Sequence, residues 1–401
     1  MEPAFPAIDF ECYHREELPR LLAEGRAAIA ANALRGLEPL AFRRKEGGAY
    51  TYVRRGETID VVPGDADAAT VIELDHASWQ GLVHELEAPA GLLYAGRLSC
   101  VRGNAMQLMA WESGLRALYT GRPVYDPQRL DLRDRAGASL AIEQGFTLDD
   151  DSADLTHFLH TAGYLFVRSV FAGDEVDAML AEAALLADEA RKGDRLSWWG
   201  KNAAGSEVLC RVTRAATQPR LGALPGDARV RALAALAGPG LVHKKGEGDG
   251  VTVIYKRPQM VEGLGDLPWH RDCGMGGHAV LCPTLVLSLY LVEATPETGE
   301  LVMLPGSHRA SCNTIHADKR GAPDGAHFRA RAGDVSLHYS DTMHAAPPPQ
   351  ALDRTAYRTS VILGFAKAEA RHHSGGKSYN DVLHGREDGQ IDHLEKVASR
   401  A

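Results

Sequence analysis

From Val251 onward the chain is written in short apolar runs closed off by Gly and Pro, and this pattern constrains the fold more than any other. The runs are Val251 to Lys256, Thr284 to Val292, Leu301 to Leu304, Asp334 to Tyr339 and Arg358 to Phe365. Each is strand length, and many short strands punctuated in this way predict a sandwich or jelly-roll barrel. Upstream, Gly163 to Arg168 predicts another strand. Asp174 then stands at an N-cap, followed by Val176, Met179, Leu180, Ala183, Ala184 and Ala187 at the spacing of a buried helical face.

The first 120 residues read differently. Leu18, Leu21, Leu22, Ile29 and Leu34 predict an amphipathic helix over 15–37, with Pro19 tolerated near its start. Strand-like runs at Ala49 to Val53, Thr58 to Val62 and Val71 to Leu74 follow, then helical stretches at Ser78 to Leu86 and Asn104 to Leu118. At 401 residues the chain is long for one domain. The expected organisation is an α+β domain over 1–125, a linker over 126–154 with many Asp and Arg residues, and a second domain over 155–401. The fold class expected is mainly β, the second domain forming a barrel with flanking helices.

Composition excludes several partners. A formal net charge of −9 without a long basic run argues against nucleic acid. No apolar stretch approaches the ~20 residues that span a bilayer, and Met1-Glu2-Pro3-Ala4 does not open like a signal peptide. A cytoplasmic protein is expected. The six cysteines, at 12, 100, 210, 273, 282 and 312, form no Cys-X-X-Cys pair and predict free thiols. Cys273 and Cys282 flank the strand discussed next, where oxidation sensitivity is one reading and packing the stronger.

Chemistry concentrates in Pro268-Trp269-His270-Arg271-Asp272. On a strand, side chains i and i+2 share a face, so His270 and Asp272 can grip one ion. The same His-X-Asp/Glu spacing also occurs at His14/Glu16, His316/Asp318 and His393/Glu395. Those pairs lie in a charged helix, a loop-like stretch and a polar tail, whereas His270/Asp272 sits among strands. A third ligand is needed, with His338 and His344 as candidates. Two histidines and a carboxylate on one face of an octahedral ion form the facial triad of non-haem Fe(II) oxygenases, with positions left open for chemistry. Arg358 and Ser360, two apart at the start of a strand, can clamp the distal carboxylate of a 2-oxo acid cosubstrate. Fe(II) and Arg358 carry three positive charges against three negative ones on Asp272 and 2-oxoglutarate. That neutral set can be buried, whereas an unpaired arginine would be costly.

Residues from about 155 to 370 resemble the phytanoyl-CoA dioxygenase family of Fe(II)/2-oxoglutarate oxygenases. The matching blocks are Gly163 to Val167, Trp269-His270-Arg271-Asp272, Thr298 to Leu301 running into Leu304-Pro305-Gly306-Ser307-His308-Arg309, Gly333-Asp334-Val335 leading to His344, and Arg358. The resemblance implies a double-stranded β-helix, with the metal on His270, Asp272 and His344 and 2-oxoglutarate on Arg358. It also implies an enzyme that couples oxidative decarboxylation of 2-oxoglutarate, using O2, to hydroxylation of a small molecule, with release of succinate and CO2. Related halogenases carry a small residue at the position of Asp272, so the carboxylate here speaks for hydroxylation. Two departures stand out. Arg271 replaces a frequent Gln, and the interval from His344 to Arg358 is longer than usual, which leaves Arg354 as an alternative clamp.

The N-terminal unit faintly resembles the sterol carrier protein type 2 fold in Val61 to Thr70 and in Leu93 to Leu98 running to Gly103. That likeness implies a lipid-binding module and a lipid- or isoprenoid-like substrate; an inert domain through which the chain forms a homo-oligomer is an equal reading. His308 is read as structural, Trp198 and Trp199 as an entrance wall or packing, His278 as a pocket residue, and 313–328 as a surface loop rather than a lid. Two rival readings of the whole remain. One is a lipid carrier with a catalytically idle jelly roll, and the other is a cupin-like metalloenzyme without a 2-oxo acid, against which Arg358 and Ser360 speak.

Overall fold

The computed structural model describes residues 5–245, 248–260, 267–273, 283–313, 324–369, 392 and 394–401. His278, Cys282, His316, Asp318, His393 and most of the 313–328 segment lie outside the described residues.

The N-terminal helix begins at Phe10, where the Asp9 carboxylate accepts from Cys12 N at 2.8 Å, and runs to Ala33. It contains two π-helical turns, Tyr13–Glu17 and Leu22–Arg26, the second holding Gly25 at φ 99°. The helix packs on a sheet of β1 (Leu40–Arg44), β2 (Ala49–Arg55), β3 (Thr58–Pro63), β4 (Thr70–Leu74) and β5 (Leu98–Arg102), ordered β3-β2-β1-β4-β5. β1 is central, antiparallel to β2 and parallel to β4. Sequence periodicity did not reveal β1, because Leu40, Ala41 and Phe42 are all buried and Arg43 and Arg44 follow, leaving no alternation to read. The helix Met106–Thr120 lies against the N-terminal helix and contributes Leu108, Trp111, Leu115 and Leu118 to one core with Phe10, Phe42, Tyr52 and Trp79. Leu394 and Ala398 of the last helix enter that same core, and Cys100 N donates to Ala401 O at 2.9 Å. The C-terminal segment thus returns to the N-terminal unit.

The segment 126–154 is laid along the barrel. β6 (Gly145–Phe146) pairs in parallel with β7 (Tyr164–Val167), and Tyr164 Oη donates to Ile142 O at 2.7 Å. Two sheets make the barrel. The larger takes β6, β7, β8 (Ser197–Lys201), β9 (Glu207–Val212), β10 (Leu241–His243), β11 (Val251–Tyr255), β13 (Leu285–Tyr290), β16 (Val335–Tyr339) and β18 (Thr359–Lys367). Its order is β6-β7-β16-β13-β18-β11-β9-β8, with β10 on β18. The smaller sheet is β12-β17-β14-β15, from Leu267–His270, His344–Ala346, Val302–Met303 and Ala326–His327. This is the expected jelly roll. One core draws Leu287, Leu337 and Leu363 from the larger sheet and Met303, Ala326 and Ala346 from the smaller, closed by Phe158 and by Val176, Met179 and Leu186 of the helix Gly173–Glu189. Among the described residues no helix is long and apolar enough to cross a membrane.

Candidate metal centre

β12 and β17 are neighbours, with His270 directly opposite His344. β12 ends at His270, so the strand expected through Asp272 stops short of it, and the bend that follows brings the Asp272 carboxylate to the His270 imidazole. The ligating atoms of His270, Asp272 and His344 all lie within 4.8 Å of one another. Asp272 Oδ1 is 3.8 Å from His270 Nε2 and 3.9 Å from His344 Nε2. Both imidazoles are oriented from behind: His270 Nδ1 meets Pro268 O at 2.8 Å and His344 Nδ1 meets Thr342 O at 3.0 Å. A ring nitrogen that donates to a carbonyl leaves the other as a lone pair facing the centre, the arrangement of metal-ligating histidines. The donor set therefore fits a divalent ion.

Electrostatics hold the groups in their ligating forms. Burial and the neighbouring rings push His344 down to about 3, so it is neutral near pH 7. Burial opposes ionisation of Asp272, but His344, His338 and His270 outweigh it and hold the carboxyl below the usual carboxylate range.

His338 stands beside the cluster rather than in it. Its Nε2 is 3.4 Å from Asp272 Oδ2, and its ring lies 4.5 Å from that of His344. Of the two candidates for the third ligand, His344 joins His270 and Asp272 in the three-residue cluster, and His338 bonds the carboxylate from the other side.

Arg358 is buried, its Nη1 donating to Glu300 O at 3.0 Å, while its Nε has no hydrogen-bond partner among the described residues. Burial lowers the basicity of this guanidinium, with Tyr290 and Glu300 offsetting part of the penalty. Ser360 is buried two residues on, and Arg354 is exposed. Lys256, overlooked in the sequence reading, is buried alongside: its backbone N–H donates to Arg358 O at 2.9 Å and its Nζ to Ala346 O at 2.5 Å.

Other singled-out residues are structural. His308 Nε2 meets His160 O at 3.1 Å. Trp198 is buried with Cys210 and Met260 under the Arg211 guanidinium, which makes it packing. Burial pushes the Cys273 thiol up to about 12, and such a thiol is inert.

Arg271 carries the largest feature that sequence reasoning missed. Its side chain leaves the face of His270 and Asp272 and bonds Glu112 of the helix Met106–Thr120 and, at 2.8 Å, Asp341. The departure from Gln at this position was the only signal.

The phytanoyl-CoA dioxygenase (PhyH) family model matches residues 159–355. A protein of Stutzerimonas stutzeri described as a probable alpha-ketoglutarate-dependent hypophosphite dioxygenase is 27% identical over 129 residues, covering 28% of this chain and 44% of that protein. The chain thus matches under half the length of this curated relative. Among solved structures, the alpha-ketoglutarate-dependent epimerase SnoN from nogalamycin biosynthesis is 23% identical, with 57% of this chain and 86% of that one covered at a TM-score of 0.44. EctD from S. alaskensis is 20% identical, with 62% and 88% covered at a TM-score of 0.44. None of these matches supports the sterol-carrier likeness of the N-terminal unit. The resemblance of the barrel region to the phytanoyl-CoA dioxygenase family of Fe(II)/2-oxoglutarate oxygenases is established over residues 159–355.

Proposed function

We propose that the protein is an Fe(II)- and 2-oxoglutarate-dependent dioxygenase that hydroxylates a small molecule. The observation that carries this reading is that ligating atoms of His270, Asp272 and His344 all lie within 4.8 Å of one another. In the proposal these three side chains hold the metal, the histidines through Nε2. Arg358 receives the distal carboxylate of 2-oxoglutarate, and Ser360 adds a hydroxyl from the same strand face. A buried guanidinium whose Nε–H is unused among the described residues supports Arg358 over the exposed Arg354. Bound there, Fe(II) with 2-oxoglutarate and O2 would supply the oxidising power for hydroxylation, with succinate and CO2 as co-products. Asp272 occupies the position that a halide would need, which supports hydroxylation over halogenation.

The lipid- or isoprenoid-like substrate expected from the sequence rested on the sterol-carrier likeness alone and is not carried forward. An idle barrel is disfavoured, because a site without a ligand would not keep two oriented imidazoles, a carboxylate and a buried arginine together.

The test is spectroscopic. Fe(II) and then 2-oxoglutarate are added to anaerobic apoprotein, and the visible charge-transfer band of a chelated 2-oxo acid is expected. Bound iron with no band would sink the mechanism.

A further inference from the structure

The N-terminal unit contributes a set of buried and half-buried charges that reaches the segments beside the proposed ligands. Six side chains take part. Arg271 bonds Glu112 and Asp341; Arg116 bonds Glu85 at 2.6 Å and lies 3.5 Å from Asp341; Arg122 lies 3.3 Å from Glu85 and also bonds Asp341. Glu85, Glu112 and Arg116 belong to the N-terminal unit, and Arg271 and Asp341 to the barrel. Three guanidiniums face three carboxylates, so the set is neutral and each buried charge has a partner, the condition under which burial is tolerated. Burial opposes the charged form of Asp341, yet Arg116, Arg271 and Arg122 hold its carboxyl well below the usual range.

Placement gives this network a consequence for the metal centre. Arg271 stands between His270 and Asp272, and Asp341 lies in the turn that leads from β16 to His344. Both arms of the cluster are therefore tied to one helix, Met106–Thr120, through Glu112 and Arg116. Two further contacts hold the same junction: Ser113 N donates to Asn313 Oδ1 at 2.9 Å, and Arg122 donates to His308 O at 3.2 Å. Glu85 sits in the left-handed region at φ 56°, a conformation costly for a residue with a side chain and kept only where its surroundings impose it.

We infer that the N-terminal unit is part of the frame of the metal site, and that Glu112, Arg271 and Asp341 are positioning residues which set the spacing of His270 and Asp272 against His344. This rests on the metal reading given above. It assigns the unit a role distinct from carrying lipid or joining subunits.

The test uses the full chain as apoprotein, with Co(II) as probe and its visible absorption as readout, below the unfolding transition seen by circular dichroism. Glu112→Gln is expected to weaken Co(II) binding about tenfold, the low end of the loss for groups outside the ligand shell, because it acts through Arg271 rather than on a ligand directly, and to change the band shape. Arg271→Gln added to Glu112→Gln removes the stranded charge but also cuts the tie to Asp341, so Co(II) binding is expected to stay weakened; full recovery in this double variant would overturn the inference. Arg97→Gln breaks the Glu87–Arg97 pair, at 2.6 Å within the N-terminal unit, and should lower Tm with Co(II) binding unchanged. Should Glu112→Gln not fold, Asp341→Asn, at the less buried end, is read in the same way.

Wild-type affinity and spectrum in folded Glu112→Gln or Asp341→Asn would overturn the inference, as would an equal loss in Arg97→Gln. Failure of the metal reading looks different: the wild type would then bind no Co(II), or would bind it unchanged after Asp272→Ala.

Discussion

Arg358 illustrates how a single residue can be read from both sides. Its position two before Ser360 at a strand start is visible in the sequence, and its burial, with an Nε that meets no hydrogen-bond partner among the described residues, is a property of the folded chain. Arg358→Ala is expected to weaken 2-oxoglutarate binding by about 2 to 5 kcal/mol, the range for truncating one partner of a buried charge pair. Titration of the Fe(II) protein with 2-oxoglutarate measures it, and unchanged affinity would move the clamp to Arg354. The pairs His270/Asp272 and Arg358/Ser360 could be picked out because strand spacing is local, whereas spacing left His338 and His344 both open and the family resemblance singled out His344. Arg271 was legible only as an oddity. Its partners Glu112 and Asp341 are 159 and 70 positions away, and nothing in the chain distinguishes them from other acidic residues.

At the scale of elements, the helix Ser152–Ala162 ends on Gly163, whose φ of 89° closes the helix and starts β7. A Cβ there would lie 2.3 Å from His308 Nδ1 and 2.8 Å from Thr342 Oγ1. Gly163→Ala is expected to cost roughly 1 to 3 kcal/mol, from the left-handed backbone and from the displaced His308 ring. Chemical denaturation of the purified variant gives the value, and a neutral result would mean that the turn relaxes. The long barrel strands β11, β13, β16 and β18 were legible as apolar runs of the right length. The two-residue strand β14 falls inside the run Leu301 to Leu304, whereas β15 and β17 were not recognised, because so few residues display no period. Their existence is decided by what lies beside them. β17 is a strand because β12 and β14 pair with it.

Over the whole molecule, burial of uncharged histidines links stability to pH. Burial lowers His14 and His308 to about 4 from an ordinary 6.5, so between those values the unfolded chain binds more protons than the folded one. Their contribution is complete above pH 6.5 and is lost as pH falls from about 6.5 toward 4. Tm followed from pH 7 to 4.5 should fall. In His14→Gln the slope in that window should be shallower, and an unchanged slope would count against a neutral buried His14. The ring of His14 stacks on Tyr50 at 4.2 Å and meets Tyr52 Oη at 2.9 Å, so the variant also loses packing, which lowers Tm at every pH without changing the slope.

What the amino-acid order by itself determined is the set of properties that decay over a few residues. These are the i, i+2 strand spacing that pairs His270 with Asp272 and Arg358 with Ser360, the apolar runs of the barrel, and the caps and turns between them. The structure groups His344 rather than His338 with His270 and Asp272, as the family resemblance implied, and tertiary structure alone decided that the C-terminal helix returns to the N-terminal core and that Arg271 meets Glu112 rather than solvent. The reason is physical. Alternation follows from backbone geometry, which every residue carries with it, whereas the pairing of buried charges depends on which surfaces exclude water together, and that exists only once the two units have packed.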